Sequence, residues 1–141
     1  MQKHKSIDLH THSTFSDGTY TPEEIVREAV SKNLSAVALT DHDCVYGLEQ
    51  FQSAGKKYGI ETINGIELAS YYSAPFIEGK VEIHIVGLFI DRQNKELLKR
   101  TEEILAQRVE RNKKMVKRLT ELGFPMTYNE LRSIAGRDSC S

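Results

Sequence analysis

Three side chains that can bind a metal ion stand at every second position near the N-terminus of this 141-residue chain. They are Asp8, His10 and His12, and they follow an apolar approach through Ile7. In an extended strand, positions i, i+2 and i+4 share one face, so one carboxylate and two imidazoles would converge on a small volume. Imidazole nitrogen and carboxylate oxygen are ligands for zinc, manganese, iron or magnesium. The spacing therefore predicts metal ligation, and the alternative is a polar edge strand with solvated histidines.

The scaffold that must position these side chains is predicted from the hydrophobic pattern. Continuous apolar runs indicate buried strands, and apolar residues spaced by threes and fours indicate helices. In chain order, the pattern predicts buried strands at 6–9 and 36–39 and further strands at 60–68 and 81–90, with helices at about 21–33 and 47–58 separating the first three. Strands that alternate with helices in this order form an α/β sheet or barrel. In such folds, the site lies at the carboxyl ends of the strands.

Local signals refine three parts of this scaffold. Thr21, Pro22 and Glu24 predict a helix start in which Thr21 is the N-cap of a capping box. The segment 71–80 is rich in proline, glycine and aromatic residues and is interpreted as a turn or hairpin. Apolar residues at helical spacing predict one long helix at about 94–122.

Size and charge exclude several classes of protein. The chain has the length of a single domain, residues 1–141, and its formal net charge is −1, so no global field marks a binder of nucleic acid or membranes. Cys44 and Cys140 form no spaced pair, which is typical of a reducing interior. No apolar run has the length of a signal peptide or a membrane span. We therefore expect a cytoplasmic protein that binds no membrane, and no feature predicts its oligomeric state.

Four more residues of ligand type accompany the predicted strands. Asp17 lies in the loop after the first strand, His42 follows the second, Glu67 ends the third, and His84 lies within the fourth. Two of them have a simpler interpretation when taken alone. Asp17 precedes a glycine and could form a turn, and His84 could be a core histidine with one polar partner. For the whole set, the simpler interpretations require several independent coincidences, so the set favours one site at the strand ends.

These residues stand in motifs that resemble one known family. The motifs are Asp8-Leu9-His10-Thr11-His12, Ser16-Asp17-Gly18, Thr40-Asp41-His42-Asp43, Gly65-Ile66-Glu67 and His84-Ile85-Val86-Gly87. In this order they resemble the PHP (polymerase and histidinol phosphatase) domain family, and in particular its small stand-alone phosphoesterases. The resemblance implies an α/β fold, the N-terminal part of a distorted (β/α)7 barrel, because the later ligands of the family would lie beyond Ser141.

The resemblance also implies roles for individual residues. Two or three divalent ions, which could be manganese, zinc, iron or magnesium, would be held at the carboxyl ends of the strands. Glu67 would bridge two of them, and Asp8 would be a weak ligand or would orient the ligands from behind. The implied ligands are His10, His12, Asp17, His42, Glu67 and His84.

The implied reaction is the hydrolysis of a phosphate ester by a metal-activated water. No side chain is predicted as the nucleophile, and Cys44, close to His42, is interpreted as a small, partly buried residue. We expect Arg108 and Arg111 of the long helix to bind substrate phosphate, and the alternative for them is a solvated basic face. The expected substrate is a small phosphorylated molecule, such as a nucleotide bisphosphate or the 5′ end of a short RNA.

Two other functions stay open. A metal-dependent amidohydrolase can also begin with two histidines on its first strand, although this chain has no evident candidate for the carboxylated lysine of that class. The second is a non-catalytic PHP module that metal ions stabilise. About half of a barrel would expose a sheet edge and apolar surface, so we expect the chain by itself to be unstable, oligomeric or inactive.

Overall fold

The computed structural model describes residues 6–76, 78–79 and 81–135, and strands alternate with helices through the first half of the chain. In chain order the elements are β1 (Ser6–Thr11), α1 (Pro22–Ser31), β2 (Leu34–Leu39), α2 (Leu48–Tyr58), β3 (Glu61–Tyr72), β4 (Val81–Leu88), α3 (Lys95–Glu121) and α4 (Tyr128–Ala135). The predicted order of elements is therefore confirmed. Cys140 lies outside the described residues.

The four strands form one sheet in the order β1-β2-β3-β4. β1 pairs with β2 and β2 with β3 in parallel, and α1 and α2 are the crossover helices that parallel pairing requires. β4 runs antiparallel to β3, so a short hairpin connection is enough, and the predicted hairpin is found between them. β3 continues four residues beyond the predicted end at Leu68, because β4 supplies hydrogen-bonding partners as far as Tyr72.

The core of the molecule lies where α1 and α2 pack against β2. Val26, Phe51 and Leu39 are fully buried there, together with Leu48. β2 is covered on both faces at residues 36–39, as its continuous apolar run predicts. Since each buried apolar side chain contributes roughly 1.5–3 kcal/mol, this cluster holds the two helices against the sheet.

The start of α1 is the capping box that its sequence predicts. The Thr21 hydroxyl accepts a hydrogen bond from the Glu24 backbone N–H at 3.3 Å, and the Glu24 carboxylate accepts one from the Thr21 N–H at 2.8 Å. These bonds satisfy donors that the first helical turn cannot pair internally. The direction in which the chain enters α1 from the loop after β1 is thereby set.

The prediction that β1 is a buried strand is wrong. Ile7 is 55% exposed, and only Leu9 packs against the apolar cluster of Ala36, Ala38 and Ile63. Among the described strands, β1 pairs with β2 alone, so its outer edge is uncovered. An apolar run signals burial only where neighbours are present on both sides.

The long helix α3 has its predicted position, but its apolar stripe is only partly covered. Leu97 and Leu98 pack against the core near the start of the helix, whereas Val109 is 37% exposed and Leu122, just after its end, is 58% exposed. A buried threonine, Thr101, lies between these regions. Among the helices in the described ranges, none combines the length and the apolar character that a membrane span requires.

Candidate metal centre

The six residues expected to bind metal come together at one end of the sheet. His10 is in β1, His42 follows β2, and Glu67 and His84 are in β3 and β4. Their ligand atoms form three overlapping groups, and within each group these atoms lie within 4.8 Å of one another. The groups are His10, His12 and Glu67; His12, Asp17 and His42; and His42, Glu67 and His84. Residues separated by up to 74 positions in the chain therefore line one continuous cluster of donor atoms.

Glu67 is at the centre of this cluster. Its Oε2 lies 2.8 Å from His10 Nε2 and 3.0 Å from His12 Nε2, and its Oε1 lies 2.8 Å from His84 Nδ1. The side chain is only 6% exposed, although it ends at four imidazoles. Both oxygens of one buried carboxylate thus face different histidines, which is the arrangement that a bridging ligand requires.

Strand register explains how Glu67 meets His84. Ala69 of β3 pairs directly with His84 of β4, and Glu67 lies two residues before Ala69 on the same face. At the other end, His42 forms an isolated parallel bridge with Glu67, which extends the pairing of β2 and β3 beyond the end of β2. The antiparallel hairpin therefore carries the fourth imidazole to a carboxylate that parallel strands have already placed.

The loop after β1 carries Asp17 into the site because a buried carboxylate anchors it. Asp41 accepts hydrogen bonds from the Ser13 N–H at 2.6 Å, from the Ser13 hydroxyl at 2.7 Å and from the Ser16 hydroxyl at 2.7 Å. Asp17 then lies 3.5 Å from an imidazole nitrogen of His12 and 3.5 Å from one of His42.

The turn at Asp17 also depends on the next residue. A Cβ on Gly18 would lie 2.0 Å from the His12 carbonyl oxygen, so only glycine allows the chain to approach this closely. Asp17 is therefore both the turn residue of the simpler interpretation and a neighbour of two histidines.

The imidazole rings of the cluster contact one another in sequence. His12 and His42 are stacked with centroids 4.6 Å apart, and His10 and His84 lie at the two ends, 5.0 Å from His12 and 5.1 Å from His42. The four rings therefore form one contiguous row of nitrogen donors.

The electrostatics of three residues follow from these contacts. Burial by itself raises the pKa of Glu67, but hydrogen bonds from His10 and His84 outweigh it, so the pKa lies below its ordinary value. The hydrogen bond to Glu67 raises the pKa of His84. Burial, followed by the nearby charge of His42, lowers the pKa of His12. Glu67 is thus held as an anion, and His12 is kept as a neutral base.

One nitrogen supports the fit of a divalent metal to this site. His42 Nδ1 is buried and has no hydrogen-bond partner among the described residues, and Glu67 Oε2, at 3.7 Å, is beyond hydrogen-bond distance. A buried polar atom without a partner is rare and calls for a ligand. Four imidazoles and two carboxylates are a donor set that suits zinc, manganese, iron or magnesium, so the residues present fit such ions.

Asp8 is not among the three groups. Its carboxylate accepts a hydrogen bond from the backbone N–H of His10 at 3.2 Å, and the side chain is exposed. Asp8 therefore contacts the backbone of His10, the first histidine of the motif. Its role as a weak ligand or orienting group stays a prediction.

The two arginines expected to bind phosphate have different surroundings. Arg108 donates from Nη2 to the Asp43 carboxylate, which is fully buried. Arg111 is exposed, and its guanidinium lies 3.3 Å from the side-chain oxygen of Asn112 on the same helix. Their phosphate-binding role stays a prediction, and Arg108 has in addition a structural partner that the sequence analysis did not identify.

The residues that sequence analysis missed are the supports of the site rather than its ligands. Asp41 and Asp43 flank His42 and are 2% and 0% exposed, and Ser13 and Ser16 are the partners of Asp41. The sequence did contain a signal for these supports. Asp41 and Asp43 come just after a strand predicted to be buried, and acidic side chains that are buried there need polar partners. Cys44 is fully buried, where partial burial was expected, and its thiol donates to the Phe15 carbonyl oxygen at 3.8 Å.

Comparison with known proteins places this geometry in a family. The family model described as PHP domain matches residues 8–122, a range that includes all six residues of the cluster. The chain belongs to the PHP domain family. The resemblance of its ordered motifs is thereby confirmed, and the PHP family accounts for the combination of an α/β sheet with histidines and carboxylates at the strand ends.

Two relatives and one solved structure are similar over most of this PHP chain. It is 34% identical to a 5′-3′ exoribonuclease of Haemophilus influenzae over 93% of its length, and 37% identical to a 3′,5′-nucleoside bisphosphate phosphatase of Chromobacterium violaceum over 84%. A putative metal-dependent phosphoesterase from Bifidobacterium adolescentis superposes on 97% of the chain with a TM-score of 0.81 and 28% identity. The fold is therefore that of the N-terminal part of a PHP barrel.

The matches cover less than half of each known protein. The chain spans 46% of the exoribonuclease, 40% of the phosphatase and 46% of the solved phosphoesterase.

Proposed function

We propose that this protein is a metal-dependent hydrolase of phosphate esters. The observation that supports the proposal most directly is the position of Glu67, whose two carboxylate oxygens face different imidazoles within overlapping groups of ligand atoms. A shared carboxylate between such groups is typical of sites that hold more than one divalent ion, and sites of that kind include those of phosphatases and nucleases. Membership of the PHP family and the name of the solved phosphoesterase are consistent with it.

In this proposal, two or three divalent ions are held by the six residues of the cluster. Bound divalent ions supply Lewis acidity, which neutralises phosphate charge and activates water at neutral pH. Glu67 remains ionised because its hydrogen bonds lower its pKa, and it is proposed to bridge two ions. Asp17, 57% exposed at the rim, closes the cluster on the side of His12 and His42. Asp8 orients His10 through its backbone.

The proposed substrates are nucleoside bisphosphates and the 5′-phosphorylated ends of short RNA. The names of the two relatives support this class. In the reaction, water adds to phosphorus, the ester P–O bond breaks, and the released oxygen takes up a proton. A phosphate monoester such as a bisphosphate thus gives an alcohol and inorganic phosphate, and an RNA diester gives an alcohol and a phosphate monoester. The exposed guanidinium of Arg111 is proposed to contact the phosphate that is not hydrolysed. The predicted cytoplasmic location is part of the same proposal.

The test is the release by the metal-loaded protein of inorganic phosphate from adenosine 3′,5′-bisphosphate and of mononucleotides from a 5′-phosphorylated RNA trimer. A matched pair of variants on one strand distinguishes the cluster from the rest of the surface. Glu67→Gln removes the central carboxylate, and Glu61→Gln makes the same change at an exposed position of β3. We expect Glu67→Gln to abolish release and Glu61→Gln to retain it.

Three results would contradict the proposal. The first is equal activity of Glu67→Gln and the wild type. The second is hydrolysis of neither substrate by protein that has bound its ions. The third is hydrolysis of a cyclic amide such as dihydroorotate in place of phosphate esters, which would indicate the amidohydrolase alternative.

A further inference from the structure

We propose that the buried ion pair of Asp43 and Arg108 is a positioning device that holds His42 and Glu67 in the geometry required for metal binding. The inference rests on the metal site of the proposed function and adds two residues that do not belong to the predicted ligand set. It concerns the rear of the site, where the long helix α3 meets the ends of β2 and β3. Neither residue needs to touch a metal ion or a substrate.

Asp43 holds the backbone directly after the side chain of Glu67. Its N–H donates to the Glu67 carbonyl oxygen at 2.9 Å, and its carboxylate Oδ1 accepts from the Ala69 N–H at 3.0 Å. One residue thus takes two consecutive hydrogen-bonding positions on the C-terminal side of the central carboxylate, in continuation of the β2–β3 pairing. Because Asp43 also directly follows His42, any shift of its backbone moves two residues of the cluster together.

The backbone conformation of Asp43 makes this arrangement specific. Its φ is 52°, in the left-handed region that non-glycine residues rarely adopt. Aspartate tolerates that region better than most residues, because its short side chain hydrogen-bonds to nearby backbone. The strained turn is held in place by the contacts of the side chain, so the loss of these contacts releases the turn that carries His42.

The carboxylate of Asp43 depends on Arg108. Asp43 is 0% exposed, and the guanidinium of Arg108, which is 19% exposed, donates to its Oδ2 from a position 65 residues further along the chain. A buried carboxylate without a cationic partner is strongly unfavourable. If Arg108 is removed, the Asp43 carboxylate is left buried and unpaired, and the turn that carries it must move to expose it to water. The ion pair thereby couples the position of α3 to His42 and Glu67.

This assignment differs in a measurable way from phosphate binding by Arg108. A guanidinium that contacts only the substrate changes the affinity for substrate and leaves metal affinity unchanged. A guanidinium that positions His42 and Glu67 changes the affinity for metal in the absence of any substrate. Outer partners of metal ligands typically alter metal affinity by about 10- to 100-fold when they are removed.

The experiment is a calorimetric titration of the metal-stripped protein with Mn²⁺, without substrate. Arg108→Met keeps much of the side-chain length but removes the charge, and Asp43→Asn keeps the Oδ1 acceptor but removes the anion. The matched control is Arg118→Met on the same helix, because Arg118 is exposed and pairs only at the surface with Glu121. We expect both test variants to bind Mn²⁺ at least about tenfold more weakly and the control to bind as the wild type does.

Arg108→Lys serves as the rescue, because it restores a cation at the same place. We expect its Mn²⁺ affinity to lie between those of Arg108→Met and the wild type. If circular dichroism shows that Arg108→Met is unfolded, the Mn²⁺ affinity of Arg108→Lys still tests the proposal. Wild-type Mn²⁺ affinity in folded Arg108→Met, accompanied by a raised KM for the phosphate ester, would overturn the proposal and support direct phosphate binding. Since the titration contains no substrate, weakened Mn²⁺ binding would support the positioning role even if the protein hydrolysed no phosphate ester.

Discussion

The carboxylate Oε1 of Glu67 lies 2.8 Å from Nδ1 of His84, across an antiparallel pair of strands that begins where the parallel part of the sheet ends. This contact connects β4 to a carboxylate that three other histidines already approach. It brings His84 of β4 into the candidate cluster.

Replacement of His84 by alanine is expected to lower the number of divalent ions bound per chain without unfolding the protein. The imidazole is 41% exposed, so its loss leaves no large cavity, while the group of His42, Glu67 and His84 loses one of its three members. The measurement is metal content by elemental analysis after dialysis. Ile83→Ala, on the opposite face of β4, is the control and should keep the full metal content. Unchanged metal content in His84→Ala would show that His84 is not a metal ligand.

The contact of Glu67 with His84 should give the metal-free protein a specific pH dependence. The pKa of Glu67 is lowered from its ordinary 4.5, so its contribution to stability is present above that pH and is lost as the pH falls through the folded value. The pKa of His84 is raised from its ordinary 6.5, so its contribution is present below that pH and is lost as the pH rises through the folded value.

Together these signs predict that the pair stabilises the metal-free protein most between about pH 4.5 and 6.5. Thermal unfolding of the wild type and of His84→Ala, measured in chelator from pH 4 to 8, tests this expectation. The difference in Tm should be largest inside the window and should shrink on both sides. A difference in Tm that is constant over the whole pH range would show that the contact does not shift the two pKa values between the unfolded and the folded state.

Removal of divalent ions is expected to lower the thermal stability of the protein. Ions that bind only the folded state stabilise it by about 2.7 kcal/mol when their concentration is 100 times the Kd. Addition of a chelator should therefore lower Tm, and excess Mn²⁺ should restore it. Glu67→Gln, which lacks the central carboxylate, should show a much smaller change. An equal loss of Tm in this variant and in the wild type would place the stabilising ions elsewhere.

Replacement of Asp41 by asparagine is expected to destabilise the protein by about 2–3 kcal/mol, because hydrogen bonds to a buried charged group are lost. Its carboxylate accepts three hydrogen bonds from Ser13 and Ser16 and is 2% exposed. Urea denaturation measures the free energy of unfolding. Asp91→Asn makes the same change at an exposed position, where the carboxylate accepts a hydrogen bond from the Gln93 N–H, and should cost much less. Similar losses in the two variants would mean that the Asp41 network does not anchor the loop.

Much of the scaffold was predictable, because its signals are local. The capping box at Thr21 needs four consecutive residues, and the alternation that aligns His10 with Asp8 is a property of any extended strand. The strand at 36–39 and the long helix were likewise evident from periodicity alone. Burial of β1 was predicted wrongly, because the apolar residues of a strand do not reveal whether a neighbour covers them.

Residue types and their order in the chain were enough to propose a metal site and a family, since histidine and carboxylate chemistry does not depend on the fold. Long-range packing was needed to establish which oxygen of Glu67 faces which imidazole, because that depends on strand register and on the antiparallel direction of β4. It was also needed to reveal the contact of Arg108 with Asp43, since the two residues are 65 positions apart and no sequence pattern links them. The ligands can be identified from their chemistry, whereas their supports are identified by proximity in space, which exists only after the chain has folded.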